Sequence, residues 1–363
     1  MQKRLTLRFI PAIVMMLASV NGWAQGVTLP RTPSPAATVS QTIGISTVKV
    51  KYSRPSVKNR VIWGELVPYG WNVQPFGAGN SAPWRAGANE NTVIEFSHPA
   101  KVEGQDVPAG SYGLFLVINK DDTGEVILSK DSHSWGSFFY DQAQDLVRAK
   151  IQLRSIPQTE MLTYDFINND KSSAELVLNW EKKQFPVKIA FAVDDIVMAN
   201  LTSELKGSPG FSFQNFNQAA GYALQNNLSL EKALAWTDQS LAGGGNRMNT
   251  YNLRANVLRK MGKTAEADKA SADGLAIANE NDLNNYGYQL LGQGEQDKAI
   301  EILTLCVQRY PKSANAWDSL GEAYAIKGDK KNAITNFKKS LTMNPTAGTK
   351  ANSEKYLKQL GAM

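Results

Sequence analysis

From Val48 to Val193, apolar and polar residues alternate over short stretches of the chain. A period of two is typical of β-strands that turn one face to a core and the other to water. The longest such stripe runs from Phe185 to Val193, with an apolar residue at every second position. Shorter stripes occur at Val48, Val50 and Tyr52 and at Leu162, Tyr164 and Phe166. The pattern predicts a series of half-buried strands in the N-terminal half.

Turn-forming residues separate these stretches. Leu114 to Ile118 and Val126 to Leu128 flank the turn-rich run 119–124, which predicts a β-hairpin. Pro108-Ala109-Gly110 predicts a further turn before a strand, because proline presets φ and glycine accepts a positive φ. Many short strands with little helical pattern predict an all-β antiparallel sandwich, similar to a jelly roll.

The C-terminal part has a helical period, and one pattern of residues recurs after 34 positions. The later copy consists of Trp317, Leu320, Gly321, Tyr324, Ala333, Phe337 and Pro345. The earlier copy consists of Leu283, Tyr286, Gly287, Leu290, Ala299, Leu303 and Pro311. Aromatic, large apolar, small and helix-stopping residues at these positions resemble tetratricopeptide repeats.

Weaker copies of the same frame extend toward the N-terminus. They predict four helix pairs, at 214–245, 248–279, 280–313 and 314–347, with Tyr356, Leu357 and Leu360 on a final capping helix. At least three repeats are needed for a stable stack, so the number is sufficient. The predicted fold is therefore multidomain, with an all-β sandwich followed by an all-α array of repeats similar to tetratricopeptide repeats.

The first 24 residues have the pattern of an export signal. Lys3, Arg4 and Arg8 precede a short apolar run, and small residues occupy the −3 and −1 positions before Gln25. No later stretch is long and apolar enough to predict a membrane span. The expected organisation is a signal peptide at 1–24, a sandwich domain at 25–205, a linker at 206–213 and repeats at 214–363. A periplasmic or secreted protein is expected. Within 25–205, Asp194 or Asp195 is predicted to cap the final helix.

Charge and cysteine content narrow the interpretation. The formal net charge of +6 falls to +3 without the three cations of the export signal. Residues 25–205 contain 17 Lys or Arg and 19 Asp or Glu, whereas residues 206–363 contain 19 and 14. This balance is ordinary for a solvated surface and does not predict a nucleic-acid partner. Cys306 is the only cysteine, so no intrachain disulfide can form, and its apolar neighbours predict a core residue.

Several motifs of the N-terminal half resemble one known family. They are Tyr52-Ser53-Arg54-Pro55, Leu66-Val67-Pro68-Tyr69-Gly70, Trp84-Arg85-Ala86-Gly87-Ala88-Asn89-Glu90 and Pro108-Ala109-Gly110-Ser111-Tyr112. Over about residues 30 to 190 the chain resembles the exported bacterial domain of unknown function DUF2911. The resemblance implies an envelope or secreted setting and, in some members, helical repeats, and it implies no catalytic residues. One departure is the insert from Asn72 to Ala82, which is expected to lengthen the lip of a pocket.

Two long loops of this half combine cations with tryptophans. Arginine offers a planar fork to a carboxylate or phosphate and tryptophan offers a stacking face, so an anionic or sugar-like ligand is predicted. The candidate ligand-binding residues are Arg54, Lys58, Arg60, Trp84, Arg85, Asn89, Glu90 and His133. The alternative is structural: Arg85 pairs with Glu90, and the tryptophan rings hold the loops to the sandwich.

His98 and His133 are the only histidines, so no histidine-rich metal site is predicted, and no cofactor is expected. His133 with Asp131, Asp141 or Glu90 has the residue types of an acid and base pair. A hydrolase or carbohydrate-processing enzyme that uses Arg54, Arg85, Glu90 and His133 is therefore the alternative hypothesis. The main interpretation is a binding or assembly protein without catalytic residues.

Amides recur at the positions of the repeat frame that line the concave surface. A row of amides can hold the backbone of an extended peptide, because each amide both donates and accepts hydrogen bonds. The candidate partner-binding residues are Asn215, Tyr222, Asn249, Asn252, Asn256, Arg259, Lys260, Asn281, Asn284, Tyr288 and Asn315. The alternative for the asparagine at the second position of each unit is capping of the first helix.

Overall fold

The computed structural model describes residues 33–363, so the predicted export signal at 1–24 lies outside the described residues. The chain forms two compact units that divide between Phe191 and Ala192. This division differs from the boundary expected at residue 205. The helix from Val193 to Glu204, which was expected to end the sandwich domain, belongs to the helical unit. The same is true of the 3-10 turn from Ser208 to Phe211, which was expected to lie in the linker.

The first unit is built from antiparallel strands. They are β1 (Ala36–Ile43), β2 (Ser46–Ser53), β3 (Asn72–Val73), β4 (Ser81–Ala82), β5 (Val93–Phe96), β6 (Ala100–Val102), β7 (Gln105–Val107), β8 (Gly110–Ile118), β9 (Thr123–Ser129), β10 (Asp145–Gln152), β11 (Arg154–Ile167) and β12 (Ser173–Phe191). One sheet has the order β1-β2-β5-β8-β9-β10 and a second has the order β11-β12-β6-β7. The strands β3 and β4 form a separate ribbon. The predicted antiparallel all-β domain is confirmed.

The alternation of apolar and polar side chains explains why one face of β2 is buried and the other faces outward. Val48 and Val50 are buried, while Lys49 points outward and forms an ion pair of 2.9 Å with Glu95 on the neighbouring β5. Aromatic rings join the two sheets: the ring centroids of Tyr52 on β2 and Tyr164 on β11 are 4.7 Å apart. These contacts place the shared core between the two sheets.

The predicted hairpin is confirmed, because β8 pairs with β9 in a register that sets Leu116 opposite Val126. At the other end of the domain the stripe of apolar residues continues past the strand. Phe191 ends β12, whereas Val193 is the first residue of a helix. Asp194 and Asp195 lie in the first turn of that helix and Ala192 is its N-cap, so the predicted aspartate cap is wrong. The two carboxylates still favour the helix start through the helix dipole.

Ten α-helices make up the second unit. They are α1 (Val193–Glu204), α2 (Phe213–Gln225), α3 (Leu230–Ala242), α4 (Met248–Lys260), α5 (Thr264–Ile277), α6 (Glu280–Gly292), α7 (Gln296–Arg309), α8 (Ala314–Lys327), α9 (Lys330–Leu341) and α10 (Ala347–Gln359). The helices α2 to α9 form the four predicted pairs, and α10 is the predicted capping helix. Among the helices of residues 33–363, none combines the length and the apolar character that crossing a bilayer requires.

Small residues allow the helices of a pair to approach closely. A Cβ atom on Gly321 would lie 2.9 Å from the Phe337 ring, and one on Gly287 would lie 2.6 Å from the Leu303 side chain. Both glycines and both large residues follow the 34-residue period, so the recurrence in the sequence records a packing requirement. Cys306 is fully buried, and burial raises the pKa of its thiol to about 11, which confirms it as a core residue.

Candidate functional site

The loops of the sandwich surround a cleft of about 480 Å³, a volume suited to a small ligand. Five of the eight predicted ligand-binding residues line it. They are Lys58, Arg60, Trp84, Arg85 and Asn89. The loop after β2 and the loop before β5 supply these residues, so the structure brings the two cation-bearing loops together.

Tryptophan rings form one wall of the cleft. Trp84 stacks on Trp180 with ring centroids 5.8 Å apart and an interplanar angle of 19°, and Trp63 contacts both rings edge-on. The Trp84 indole N–H donates to the carbonyl oxygen of Gly87 at 3.3 Å. Trp180 was not among the predicted residues because it lies on β12, where the alternation of the strand marks it only as a core residue.

Arg85 is held in place on several sides. Its guanidinium donates to the carbonyl oxygen of Asn89 at 2.6 Å and lies 4.8 Å from the centroid of the Phe138 ring. Gly136 adopts a φ of +61°, and a Cβ atom there would come within 2.3 Å of the Arg85 guanidinium. Burial lowers the pKa of Arg85, which reflects the cost of removing its charge from water. The cleft therefore contains a fixed, partly desolvated cation.

The two loops hold several residues other than glycine in the left-handed region of φ. Lys58 has a φ of 49°, Asn59 of 59°, Ala86 of 51° and Asn89 of 61°. Alanine and lysine adopt this conformation only at a cost, so contacts elsewhere must impose it. At Ala86 the carbonyl oxygen accepts hydrogen bonds from the hydroxyls of Thr92 and Tyr164, at 3.2 and 2.9 Å. Such imposed strain clusters at binding and active sites.

Three predicted residues lie outside the cleft lining. Arg54 donates to the carbonyl oxygen of Leu162 at 3.0 Å and to the Thr163 hydroxyl at 2.7 Å, so it joins its loop to β11. His133 is exposed, and Glu90, like His133, does not line the cleft. Loop attachment, the structural alternative, is therefore the role that these contacts give Arg54. Because no histidine or carboxylate from residues 33–363 lines the cleft, the acid and base group of the hydrolase hypothesis does not converge there.

The insert from Asn72 to Ala82 was expected at the lip of the pocket, and this expectation is wrong. None of its residues lines the cleft. The insert forms the β3–β4 ribbon instead, and its Phe76 packs on Phe138 with ring centroids 5.7 Å apart. A Cβ atom on Gly77 would come within 2.2 Å of the Phe138 carbonyl oxygen, so the close approach explains the glycine.

In the helical unit, two adjoining cavities of about 680 and 280 Å³ form one groove between the second and third helix pairs. They share Asn252, Tyr286 and Gln289. Four predicted partner-binding residues line the groove. They are Asn249, Asn252, Asn256 and Arg259. Sequence reasoning missed Gln289 and assigned Tyr286 to the core ladder, because the repeat frame marks only its own concave positions.

The groove coincides with an irregular repeat. The start of α4 precedes that of α6 by 32 residues, whereas α6 and α8 are spaced by 34. Only residues 278 and 279 connect α5 to α6, while residues 310–313, including Pro311, connect α7 to α8. The opening between the second and third pairs therefore occurs at the shortened unit, and polar side chains from both pairs line it.

The other predicted partner-binding residues lie elsewhere. Asn215 donates to the Pro209 carbonyl oxygen at 2.8 Å, and the Tyr222 hydroxyl donates to Asp194 at 2.9 Å. The Tyr288 hydroxyl donates to Glu322 at 3.0 Å, and the Asn284 side-chain oxygen is buried without a hydrogen-bond partner among the described residues. Lys260, Asn281 and Asn315 are exposed and line neither cavity.

The capping alternative is wrong for the second-position asparagines. The side-chain cap of α6 is Asn279 and that of α8 is Ser313, one residue before each helix begins. The helices α2 and α4 begin at residues without a side-chain cap bond. The asparagines therefore lie inside the first turn, and Asn249 is the one that reaches the groove.

A buried carboxylate joins α8 to the capping helix. Asp318 is 5% exposed and accepts hydrogen bonds from Ser353 and, at 2.8 Å, from Asn352. Burial raises the pKa of Asp318, and these two bonds offset only part of the effect. Between the ordinary aspartate pKa and the raised one, the folded state binds more protons than the unfolded state.

We expect this carboxylate to contribute stability that is greatest below its ordinary pKa and decreases as the pH rises through the raised pKa. The unfolding free energy of the wild type, relative to that of Asp318→Asn, should therefore decrease between about pH 4 and about pH 7. Urea unfolding followed by helical circular dichroism measures it. A difference that stays constant, or grows in favour of the wild type, contradicts the prediction.

Comparison with protein families decides the identity of the first unit. Residues 34–189 match the family described as a protein of unknown function, DUF2911, and residues 314–346 match a tetratricopeptide repeat. The first unit is a DUF2911 domain. The resemblance inferred from the sequence is confirmed for both parts. Apart from Pro33, the described residues that line the sandwich cleft lie within the matched DUF2911 segment.

Curated relatives match a smaller part of the chain. Cellulose synthase operon protein C of Escherichia coli (strain K12) is 28% identical over 125 residues, which are 34% of this chain and 10% of that protein. The putative cellulose synthase operon protein C of Escherichia coli O157:H7 matches with the same identity and coverage. The chain therefore spans about a tenth of the length of these relatives.

Three similar solved structures each match less than half of the chain. The structure of pilF from Pseudomonas aeruginosa is 22% identical, with a TM-score of 0.26, and the match covers 40% of this chain and 68% of that chain. The MamA protein is 20% identical, with a TM-score of 0.27 and coverage of 45% and 85%. YrrB, described as a TPR protein with an unusual peptide-binding site, is 16% identical, with a TM-score of 0.27 and coverage of 44% and 83%.

Proposed function

We propose that this protein is an exported binding and assembly protein of the bacterial envelope, and that its helical array binds a protein or peptide partner. The observation that carries the proposal is the continuous polar groove between the second and third helix pairs. The pattern of an export signal at residues 1–24 and the partial similarity to cellulose synthase operon protein C support an envelope setting.

The chemistry of the groove favours an extended peptide. The amides of Asn252, Asn256 and Gln289 provide donors and acceptors, as a peptide backbone requires. Arg259 donates to the Ser271 hydroxyl at 2.9 Å and to the Asn256 side-chain oxygen at 3.3 Å, and it lies 3.5 Å from Asp268, so these contacts orient it toward the groove residues. Side chains of both charges line the groove, which suits a partner with mixed charges rather than a purely acidic one.

A photo-crosslinking experiment tests this proposal on the full-length protein in cells. We expect a photoreactive residue at Gln293, which lines the groove, to crosslink one specific partner. The same residue at the exposed Asn315, outside the groove, should not. Replacing Asn252, Asn256 and Gln289 by alanine should reduce the crosslink at least about tenfold, because several hydrogen bonds of about 1 kcal/mol each are lost.

The matched control is the double variant Asn281→Ala and Asn315→Ala, which removes one exposed amide from α6 and one from α8, both outside the groove lining. It should crosslink as the wild type does. Equal crosslinking from Gln293 and Asn315, or a triple variant that retains the crosslink, contradicts binding in the groove.

We propose in addition that the DUF2911 domain binds a small anionic or sugar-like ligand in its cleft. The fixed Arg85, the stacked tryptophans and the imposed strain of the two loops support this role. Different residues line the groove of the array and the cleft of the sandwich, so each site can be tested without the other.

A further inference from the structure

The charges of the sandwich cleft have one sign. Lys58, Arg60 and Arg85 line it, and no aspartate or glutamate among the described residues does. Within the described residues Arg85 forms no ion pair with a carboxylate; its partners are the Asn89 carbonyl oxygen and the Phe138 ring. Arg60 likewise donates to the carbonyl oxygens of Ser56 and Val57. A partly buried guanidinium that forms no ion pair with a carboxylate of the described residues favours an anionic ligand.

A second cavity of about 330 Å³ adjoins the cleft. It is lined by Trp135 and by three residues that also line the cleft, namely Pro33, Ser34 and Asn89. The Trp135 side chain is 50% exposed, although exposing so large an apolar ring to water is unfavourable. The two cavities therefore share a boundary of Pro33, Ser34 and Asn89, while cations line the larger cavity and an open indole face lines the smaller one.

We propose that this two-part cleft binds an acidic saccharide, with a carboxylate at Arg85 and a sugar ring on the face of Trp135. The inference rests on the proposed ligand-binding function of the DUF2911 domain and names the class of ligand. It does not depend on the helical array.

The physical match has three parts. A guanidinium fork binds a carboxylate through two parallel hydrogen bonds, and Arg85 retains donors beyond the one given to Asn89. The apolar face of a sugar ring stacks on an exposed indole, as Trp135 offers. Asn89 lines both cavities, and its amide, which donates to the Ser34 carbonyl oxygen at 3.2 Å, keeps a further donor and an acceptor for sugar hydroxyls.

Calorimetric titration and tryptophan fluorescence of the full mature chain test the inference. The probes are trisaccharides of galacturonate, mannuronate and glucuronate, with neutral maltotriose and inorganic phosphate as comparisons. We expect at least one uronate trisaccharide to bind with higher affinity than maltotriose. Arg85→Gln should weaken that binding at least about tenfold, and Trp135→Ala about threefold to tenfold, because each removes one of the two anchors.

Lys58→Gln provides a second charge variant, because the exposed Lys58 side chain can be changed without disturbing the contacts of Arg85. Lys58→Gln should also weaken uronate binding. It replaces Arg85→Gln as the decisive variant if circular dichroism shows that Arg85→Gln is unfolded. The matched control is Lys120→Gln, an exposed lysine in the β8–β9 turn, which should bind as the wild type does.

The outcomes separate this inference from the broader proposal. Binding of maltotriose with equal affinity, unaffected by Lys58→Gln, overturns the acidic ligand and leaves a sugar-binding DUF2911 domain. Binding of phosphate that Trp135→Ala does not change overturns the saccharide and leaves an anion site. Binding of none of the probes overturns the inference, while the crosslinking experiment on the array remains an independent test.

Discussion

Replacing Phe337 by alanine is expected to lower the unfolding free energy of the helical array by about 3–5 kcal/mol. The ring is fully buried, lies against the backbone position of Gly321 and stacks on Tyr356 with centroids 5.0 Å apart. Its loss leaves a cavity where α8, α9 and α10 meet, and it removes the stacking contact of the capping helix. Because stacked repeats are stabilised by their neighbours, the effect should reach α10 first.

Urea unfolding followed by helical circular dichroism measures the loss, and hydrogen exchange locates it. We expect the amides of α10 to exchange faster in the variant. The matched control is Phe211→Ala, whose ring is 92% exposed, and it should change the unfolding free energy by less than about 0.5 kcal/mol. A similar loss in both variants, or unchanged exchange in α10, contradicts the proposed packing.

Replacing Trp180 by alanine is expected to destabilise the DUF2911 domain by about 3–5 kcal/mol. The side chain is 1% exposed and packs against Trp84 and Trp63, so the substitution opens the centre of the aromatic cluster. Its indole N–H has no hydrogen-bond partner within residues 33–363, so the loss is one of packing. Trp180 also lines the cleft, and the variant should therefore enlarge the candidate ligand site.

Two variants distinguish packing from chemistry. Trp180→Phe keeps an aromatic ring and loses the unpaired N–H, so it should cost clearly less than Trp180→Ala. Trp135→Ala, at a half-exposed tryptophan, should change the unfolding free energy by less than about 1 kcal/mol. Equal destabilisation by the two substitutions at Trp180 contradicts this account. Denaturant unfolding followed by far-ultraviolet circular dichroism measures all three, independently of tryptophan fluorescence.

The strands and helices could be predicted because burial is periodic along the chain. The alternation of Val48 and Val50 with Lys49 marks β2, and the structure places these residues as the alternation requires. In the array, Gly321 and Phe337 recur 34 residues after Gly287 and Leu303 because each pair fills the same contact. Local pattern failed at Val193, where an apolar stripe continues from a strand into a helix without a change of spacing.

The candidate sites were predicted less completely. The sequence marked both cation-bearing loops, and the structure brings Lys58, Arg60 and Arg85 to one cleft. It gave no signal for Trp180, which reaches the same cleft from a distant strand. It likewise gave no signal for Gln289, because the groove opens between two helix pairs and is a property of their spacing.

The sequence by itself determined the two-part architecture, the helix pairs and the residue types available for binding. These depend on periodicity and composition, which are local properties of the chain. Only the tertiary structure decided which of those residues act together. Arg54 and Arg85 are chemically equivalent in the sequence, yet Arg54 bonds to β11 while Arg85 lines the cleft. Their difference arises from which strand or loop crosses beside each arginine, and no local pattern specifies that.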